Sequence, residues 1–225
     1  MMKREFENEL DAIKEAVLTM AGLVEKSLDD ANRAMTNRDS NRAREVIAAD
    51  EAIDRYEVEI DQLASTFIVR HQPAASDLRF ILVAIKMGPE LERIGDHAVN
   101  IARRVLDLNA EPPLKPLIDL PRMVNLARAM VSDAISAYVR RDAEAARDII
   151  GRDDEVDELY LQLFRELISF MIEDPHTITQ AIDLLFVARS AERIADQATN
   201  ISEEVVYLVE GVPIRHRPLE DGQPA

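Results

Sequence analysis

An internal repeat constrains the fold of this 225-residue chain more than any other feature of its sequence. The segment 92–101 aligns with the segment 192–201, and seven of the ten paired residues are identical. Upstream, Asp50 and Asp54 align with Asp153 and Asp157 at an offset of 103 residues, which shortens to 100 in the last helix of each half. A repeat of about 100 residues is longer than the units of solenoid proteins. The repeat therefore predicts a duplicated domain.

Hydrophobic spacing and composition predict an all-α fold. Hydrophobic residues make up 47% of the chain and aromatic residues only 4%, with 6 glycines and 10 prolines to interrupt helices. Apolar residues recur at helical spacing along nearly the whole chain. Two of the predicted buried faces are Ile13, Val17, Met20, Val24, Leu28 and Ala31, and Leu91, Ile94, Ala98, Ile101 and Val105.

Breaks in this periodicity divide the chain into two tandem three-helix bundles. We predict a first bundle over residues 1–108, a linker over 109–117, a second bundle over 118–210 and a loose tail over 211–225. The predicted helices span about 5–35, 40–70, 74–108, 118–139, 143–171 and 177–210, with a kink at Gly88-Pro89. Because the turns are short, neighbouring helices are expected to pack antiparallel.

The charge balance and the missing residue types exclude several classes of protein. The formal net charge is −16, so the basic face of a nucleic-acid-binding protein is not expected. The chain has no cysteine, which excludes disulfides and thiolate ligands. It begins without the apolar run of a signal peptide, and its longest apolar run, Phe80–Ile85, is too short to cross a bilayer. We therefore expect a cytoplasmic protein.

Acidic side chains form matched rows in the two halves. Glu92, Asp96 and Asn100 stack at a spacing of four residues, on a face turned away from the apolar stripe. In an antiparallel pair of helices, Asp54 comes level with Glu92 and Asp50 with Asp96. The second half repeats this arrangement. The predicted metal ligands are Asp50, Asp54, Glu92, Asp96 and Asn100 in the first half, and Asp153, Asp157, Glu192, Asp196 and Asn200 in the second.

Facing rows of like charge need a counter-charge. One alternative is salt bridging by Arg93, Arg103 and Arg193. The other is a divalent or trivalent cation, and oxygen-only ligands favour Mg, Mn, Ca or Fe. The second row is the shorter one, because Tyr160 and Phe164 replace Glu57 and Asp61. The two halves are therefore expected to differ in metal number or affinity.

No catalytic motif accompanies the carboxylates, so we predict a protein that is not an enzyme. The sequence contains no glycine-rich phosphate loop, dinucleotide fingerprint or nucleophile elbow. A hydrolase using carboxylate-bound metal and a purely structural scaffold with solvated acidic faces remain alternatives. His97 is expected to be a surface or interhelix histidine. The segment 159–168 is apolar nearly all round, which fits either a deeply buried helix or a protein interface.

The duplicated segments Leu-Glu-Arg-Ile-Gly-Asp-His-Ala-x-Asn-Ile (91–101) and Ala-Glu-Arg-Ile-Ala-Asp-Gln-Ala-x-Asn-Ile (191–201) resemble those of the PhoU family. The resemblance covers residues 1–211, including the turn Arg70-His71-Gln72-Pro73. It implies two three-helix bundles related by pseudo-two-fold symmetry. It also implies metal ions, among them iron or zinc, on four Asp/Glu-x-x-x-Asp motifs. Carried over, these are Asp50-x-x-x-Asp54, Glu92-x-x-x-Asp96, Asp153-x-x-x-Asp157 and Glu192-x-x-x-Asp196.

The same resemblance implies a role and partners. Members of the family are often dimeric regulators in the cytoplasm. They act between the ATPase subunit of the phosphate ABC transporter and the phosphate-sensing histidine kinase, and they damp the phosphate-starvation response. A homodimer that meets the membrane only through its partners is therefore expected.

Overall fold

The computed structural model describes residues 2–214, with side chains from residue 5 onward. This part of the chain is helical and contains no strand, which confirms the all-α prediction. The elements are α1 (Met2–Asn37), α2 (Ser40–His71), α3 (Ala75–Leu108), α4 (Asp119–Arg140), α5 (Ala143–Gly151), α6 (Asp153–Glu173), a 3-10 turn (Pro175–Thr177) and α7 (Ile178–Glu210). Residues 215–225 of the predicted tail lie outside the described residues. No helix between residues 2 and 214 has the length and apolarity needed to span a lipid bilayer.

The same turn joins the first two helices of each half. Asp39 caps α2 by accepting hydrogen bonds from the backbone N–H groups of Asn41 and Arg42, and Asp142 caps α5 by accepting from that of Ala145. The residues before the caps, Arg38 and Arg141, have φ angles of 54° and 53° in the left-handed region. The repeat therefore extends to backbone conformation.

The helix predicted over residues 143–171 is interrupted, which corrects the sequence-based prediction. α5 ends at Gly151 and α6 begins at Asp153, with Arg152 donating its backbone N–H to Ile149 and Ile150. Glycine lowers helix stability because its backbone loses more freedom on ordering. In the first half the corresponding residues are Ala48 and Ala49, and α2 is unbroken there. At Gly88-Pro89, by contrast, α3 remains helical.

The apolar faces predicted for α1 and α3 are buried, and every side chain named above for them is at most 1% exposed. Buried side chains of both halves form one contiguous apolar cluster. This burial supplies the driving force that holds the long helices together. Division of the chain into two separate domains stays a prediction.

The last helices of the two halves, α3 and α7, pack against each other. Lys86 on α3 pairs with Glu204 on α7 at 2.8 Å, and Arg104 on α3 pairs with Asp183 on α7 at 3.1 Å. The segment that follows each of these two helices contacts the other helix. Gln180 donates to the carbonyl oxygen of Pro112 at 2.5 Å, while a Cβ on Gly211 would lie 3.5 Å from Nη1 of Arg79.

The apolar segment 159–168 lies on a surface helix. Leu163 and Leu167 on α6 are buried, but Leu161 is 50% exposed and Phe164 is 39% exposed. These exposures rule out a helix buried all round. The alternative of a protein interface stays a prediction.

Loss of the α2 cap should weaken the fold. We expect Asp39→Ala to lower the free energy of unfolding by about 1 kcal/mol, because two backbone donors lose their acceptor. Urea denaturation followed by circular dichroism measures this change. Asp39→Asn preserves the acceptor and serves as the control, so equal losses for the two variants would contradict the capping role.

Candidate metal sites

Five carboxylates gather where α2 packs on α3. They form the first cluster: Asp50, Asp54, Glu57, Glu92 and Asp96. Partial burial, followed by the charges of Asp96 and Glu57, raises the pKa of Glu92 to about 7. Burial and the charges of Asp54 and Asp96 likewise raise the pKa of Asp50, against the opposing effect of Arg103. The carboxylates predicted to lie level on the two helices therefore do repel one another.

A glycine allows α2 and α3 to approach this closely. A Cβ on Gly95 would lie 3.0 Å from Cδ1 of Ile53 and 3.5 Å from Oδ1 of Asp50. The backbone of α3 thus sits directly against the α2 side chains at the height of the cluster. The counterpart of Gly95 in the second half is Ala195, which is fully buried.

Four carboxylates meet at the equivalent contact between α6 and α7. They form the second cluster: Asp153, Asp157, Glu192 and Asp196. Burial, together with the charges of Asp196 and Asp157, raises the pKa of Asp153 to about 6. Burial and Asp196 also raise the pKa of Glu192, while Arg189 and Arg193 lower it.

Two oxygens of the second cluster fit a bound cation. Oδ1 of Asp153 and Oε2 of Glu192 are buried without a hydrogen-bond partner, although Nε of Arg193 forms an ion pair with the Glu192 oxygen at 3.6 Å. The Asp153 oxygen therefore calls for a partner that the fold itself does not supply. Hard oxygen donors of this kind suit Mg, Mn or Fe and are also found on zinc. Among the described side chains, however, no three potential ligands already surround one point. A cation would therefore have to draw the carboxylates together by side-chain rotation.

Arginines compensate the second cluster directly. Arg189 pairs with Glu192 at 2.7 Å, and Arg193 pairs with Asp196 at 2.7 Å and with Glu192 at 3.6 Å. Arg193, which the sequence predicted as a counter-ion, therefore does pair with carboxylates of the second cluster. Arg93, the predicted counter-ion of the first half, pairs with Glu90 at 3.6 Å instead.

Sequence reasoning missed Arg189. It lies three residues before Glu192, a spacing at which helix side chains meet. The repeat gave no hint of it, because its counterpart is Pro89. The signal in the sequence that could have identified Arg189 is its three-residue spacing from Glu192.

The two predicted asparagine ligands lie toward the opposite half. Asn200 donates to Glu90 at 3.2 Å and to Gln197 at 3.4 Å. Asn100 lines a groove of about 250 Å³ with Arg104 and Phe186. These contacts do not support either asparagine as a ligand, and both assignments stay predictions.

His97 lies between the two halves. Its Nδ1 is buried without a hydrogen-bond partner, and burial lowers its pKa, with Arg193 and Arg189 acting in the same direction against Asp96. This position agrees with the expected interhelix histidine.

The raised pKa of Glu92 predicts a pH dependence of stability. Because the pKa in the folded state, about 7, exceeds the ordinary value of 4.5, the folded protein binds more protons than the unfolded chain between these pH values. The free energy of unfolding should therefore fall as pH rises through this window and stay lower above it. Glu92→Gln removes the repulsion, so with metal chelated it should be more stable than the original chain at pH 8.

Urea titrations at pH 4.5, 6 and 8 measure this difference, which should shrink towards pH 4.5. Glu59→Gln, at an exposed position of α2, controls for the loss of one negative charge. Identical pH profiles for Glu92→Gln and the original chain would refute the proposed repulsion.

Comparison with known proteins agrees with this architecture. The family model described as PhoU domain matches twice, over residues 17–105 and 120–205. The chain is 42% identical to the phosphate-specific transport system accessory protein PhoU homolog of Aquifex aeolicus, covering 95% of this chain and 96% of that protein. It is 40% identical to phosphate-specific transport system accessory protein PhoU of Escherichia coli, covering 94% and 88%.

Solved structures show the same fold. The crystal structure of PhoU from Pseudomonas aeruginosa superposes with a TM-score of 0.89 at 38% identity, covering 92% of this chain and 100% of that one. Two matched domains, extensive identity and a shared fold lead to one conclusion: the chain belongs to the PhoU family.

Proposed function

We propose that this protein is a non-enzymatic regulator that negatively modulates phosphate uptake and the phosphate-starvation response. The observation that carries the proposal is membership of the PhoU family over nearly the whole chain, since relatives at about this length are accessory proteins of phosphate-specific transport. The partners we propose are the ATPase subunit of the phosphate ABC transporter and the phosphate-sensing histidine kinase. The protein would act in the cytoplasm as a homodimer and meet the membrane only through these partners.

We further propose that each cluster holds metal ions, with Fe, Zn, Mn and Mg as the candidates. The Asp153 oxygen that is buried without a hydrogen-bond partner supports this assignment in the second half. In the first half it is supported by the gathering of five carboxylates around Glu92, where burial and then mutual repulsion raise the pKa of Glu92. A bound cation would supply positive charge that offsets this repulsion. The carboxylates of α2 and α6 would then be tied to those of α3 and α7.

Exposed apolar side chains offer a surface for protein partners. Ile178, Ile182 and Phe186 follow one another at a spacing of four residues on α7 and are 41%, 40% and 50% exposed. At this spacing they lie in one row along the helix. Exposed apolar side chains grouped on one helix face mark interaction sites on many proteins, and we propose this row as a docking surface for the partners.

The proposed ligands can be tested by metal content. We expect the variant with Glu92→Gln, Asp96→Asn, Glu192→Gln and Asp196→Asn to lose bound metal, as measured by elemental analysis of dialysed protein. The control neutralises four exposed glutamates elsewhere on the chain: Glu51, Glu59, Glu158 and Glu173. If metal content were the same in the original chain and both variants, the assignment of these ligands would be wrong.

Partner binding can be tested by affinity capture. The tagged protein should retain the purified transporter ATPase subunit and the sensor kinase, and Phe186→Ser should reduce capture, because the largest apolar side chain of the row is removed. Ile118→Ser, at a position that is 71% exposed and precedes α4, is the control. Failure of the unmodified protein to capture either partner would overturn the proposed function.

A further inference from the structure

The two clusters differ in their internal counter-ions. In the second, guanidinium groups contact two of the four carboxylates at 2.7 Å. In the first, no lysine or arginine of the described chain forms an ion pair with any of the five carboxylates, and Arg103 affects Asp50 only at longer range. One cluster is therefore partly neutralised by the protein itself, and the other is not.

Paired replacements between the halves produce this difference. Where the second half has Arg189, the first has Pro89, which carries no charge. Where the first half has Glu57, the second has Tyr160, and the Arg189 guanidinium lies 5.8 Å from the centre of that ring. The aromatic ring thus replaces an acid and supports the added cation.

A third replacement redirects the arginine that both halves share. Arg93 turns to Glu90 at 3.6 Å. The counterpart of Glu90 is Ser190, which has no charge to attract Arg193. Arg193 accordingly turns to Asp196 and Glu192. All three replacements make the second cluster less negative than the first.

We propose that Arg189 and Arg193 are built-in counter-ions that compete with metal at the second cluster, so that the two halves bind cations with unequal affinity. The first cluster fills at low cation concentration. The second fills only when the cation displaces the arginines from Glu192 and Asp196. This inference rests on the metal sites of the proposed function and adds a graded response to them.

The physical reason is charge competition at shared oxygens. A divalent ion that binds Glu192 and Asp196 through both oxygens of each carboxylate must take Oε1 of Glu192 and Oδ2 of Asp196 from guanidinium groups 2.7 Å away. It must then remain near two positive charges. At the first cluster the ion meets five carboxylates and displaces no ion pair. Even at the dielectric constant of water, one unit charge close to a divalent ion changes its affinity by about tenfold.

The test uses Mn²⁺ as the probe, with free ion counted by electron paramagnetic resonance after equilibrium dialysis. Salt at about 0.15 M suppresses weak binding to the acidic surface. Glu192→Gln with Asp196→Asn leaves only the first cluster, and Glu92→Gln with Asp96→Asn leaves only the second. We expect the dissociation constant to be at least about tenfold lower for the first cluster than for the second.

Variants of the counter-ion then identify its role. In the chain with only the second cluster, Arg189→Gln should tighten Mn²⁺ binding at least about fivefold, whereas Arg189→Lys, which preserves the charge, should not. Tyr160→Glu should also tighten Mn²⁺ binding, because it restores the acid that the first half has at this place. If circular dichroism shows that Arg189→Gln does not fold, the Tyr160→Glu variant provides the test. Arg33→Gln, which removes an exposed charge from α1, should have no effect.

The outcomes separate this inference from the function on which it rests. Equal affinities of the two clusters, or no change with Arg189→Gln and Tyr160→Glu, would overturn the inference while leaving the metal sites in place. If the original chain binds no Mn²⁺ and carries no other metal in elemental analysis, the metal sites and this inference fall together. Capture of the transporter and kinase partners would be unaffected by either result.

Discussion

Repulsion between carboxylates held at the contacts of α2 with α3 and of α6 with α7 is the constraint on which the functional features of this protein depend. The same helices carry the apolar faces that form the core, so the charged rows cannot separate without exposing buried side chains. Burial of the apolar faces therefore keeps the acids close and partly desolvated, and this desolvation, followed by mutual repulsion, raises the pKa of Glu92 and Asp153. The fold presents two sites at which a positive charge is stabilising.

Duplication gives the protein two halves of the same architecture. The seam, by which we mean the contact between α3 and α7, shows how the two halves have diverged. Lys86 forms an ion pair with Glu204 across the seam. At the pseudo-equivalent place, the Arg104 guanidinium lies 4.6 Å from the centre of the Phe186 ring. Both cations also have a second contact with α7, since Arg104 pairs with Asp183 at 3.1 Å and Lys86 lies 5.2 Å from the centre of the Tyr207 ring. Phe186 remains half exposed, so this side of the seam combines cohesion with a surface that a partner can reach.

Local sequence explains most of the fold because its determinants act over a few residues. Asp39 and Asp142 cap helices through bonds to backbone groups two or three positions away, and such signals are legible without a structure. The periodic apolar residues of α1 and α3 identified their buried faces correctly. The break at Arg152 was missed because Gly151 weakens a helix only modestly, and the strong periodicity on both sides concealed it.

The candidate sites were partly visible in the sequence. The repeat and the position of the turn predict that Asp54 lies level with Glu92 and Asp50 with Asp96. This is possible because the rise per residue of a helix and the position of the turn determine which residues of two antiparallel helices face each other. What the sequence alone determined was therefore the duplicated all-α design and the pairing of its acidic rows. Only the tertiary structure decided which arginine faces which acid, that Asn200 bonds to Glu90, and that α6 exposes one side. These depend on side-chain directions between helices distant in sequence, where a single replacement such as Ser190 for Glu90 redirects a charge without leaving a local signal.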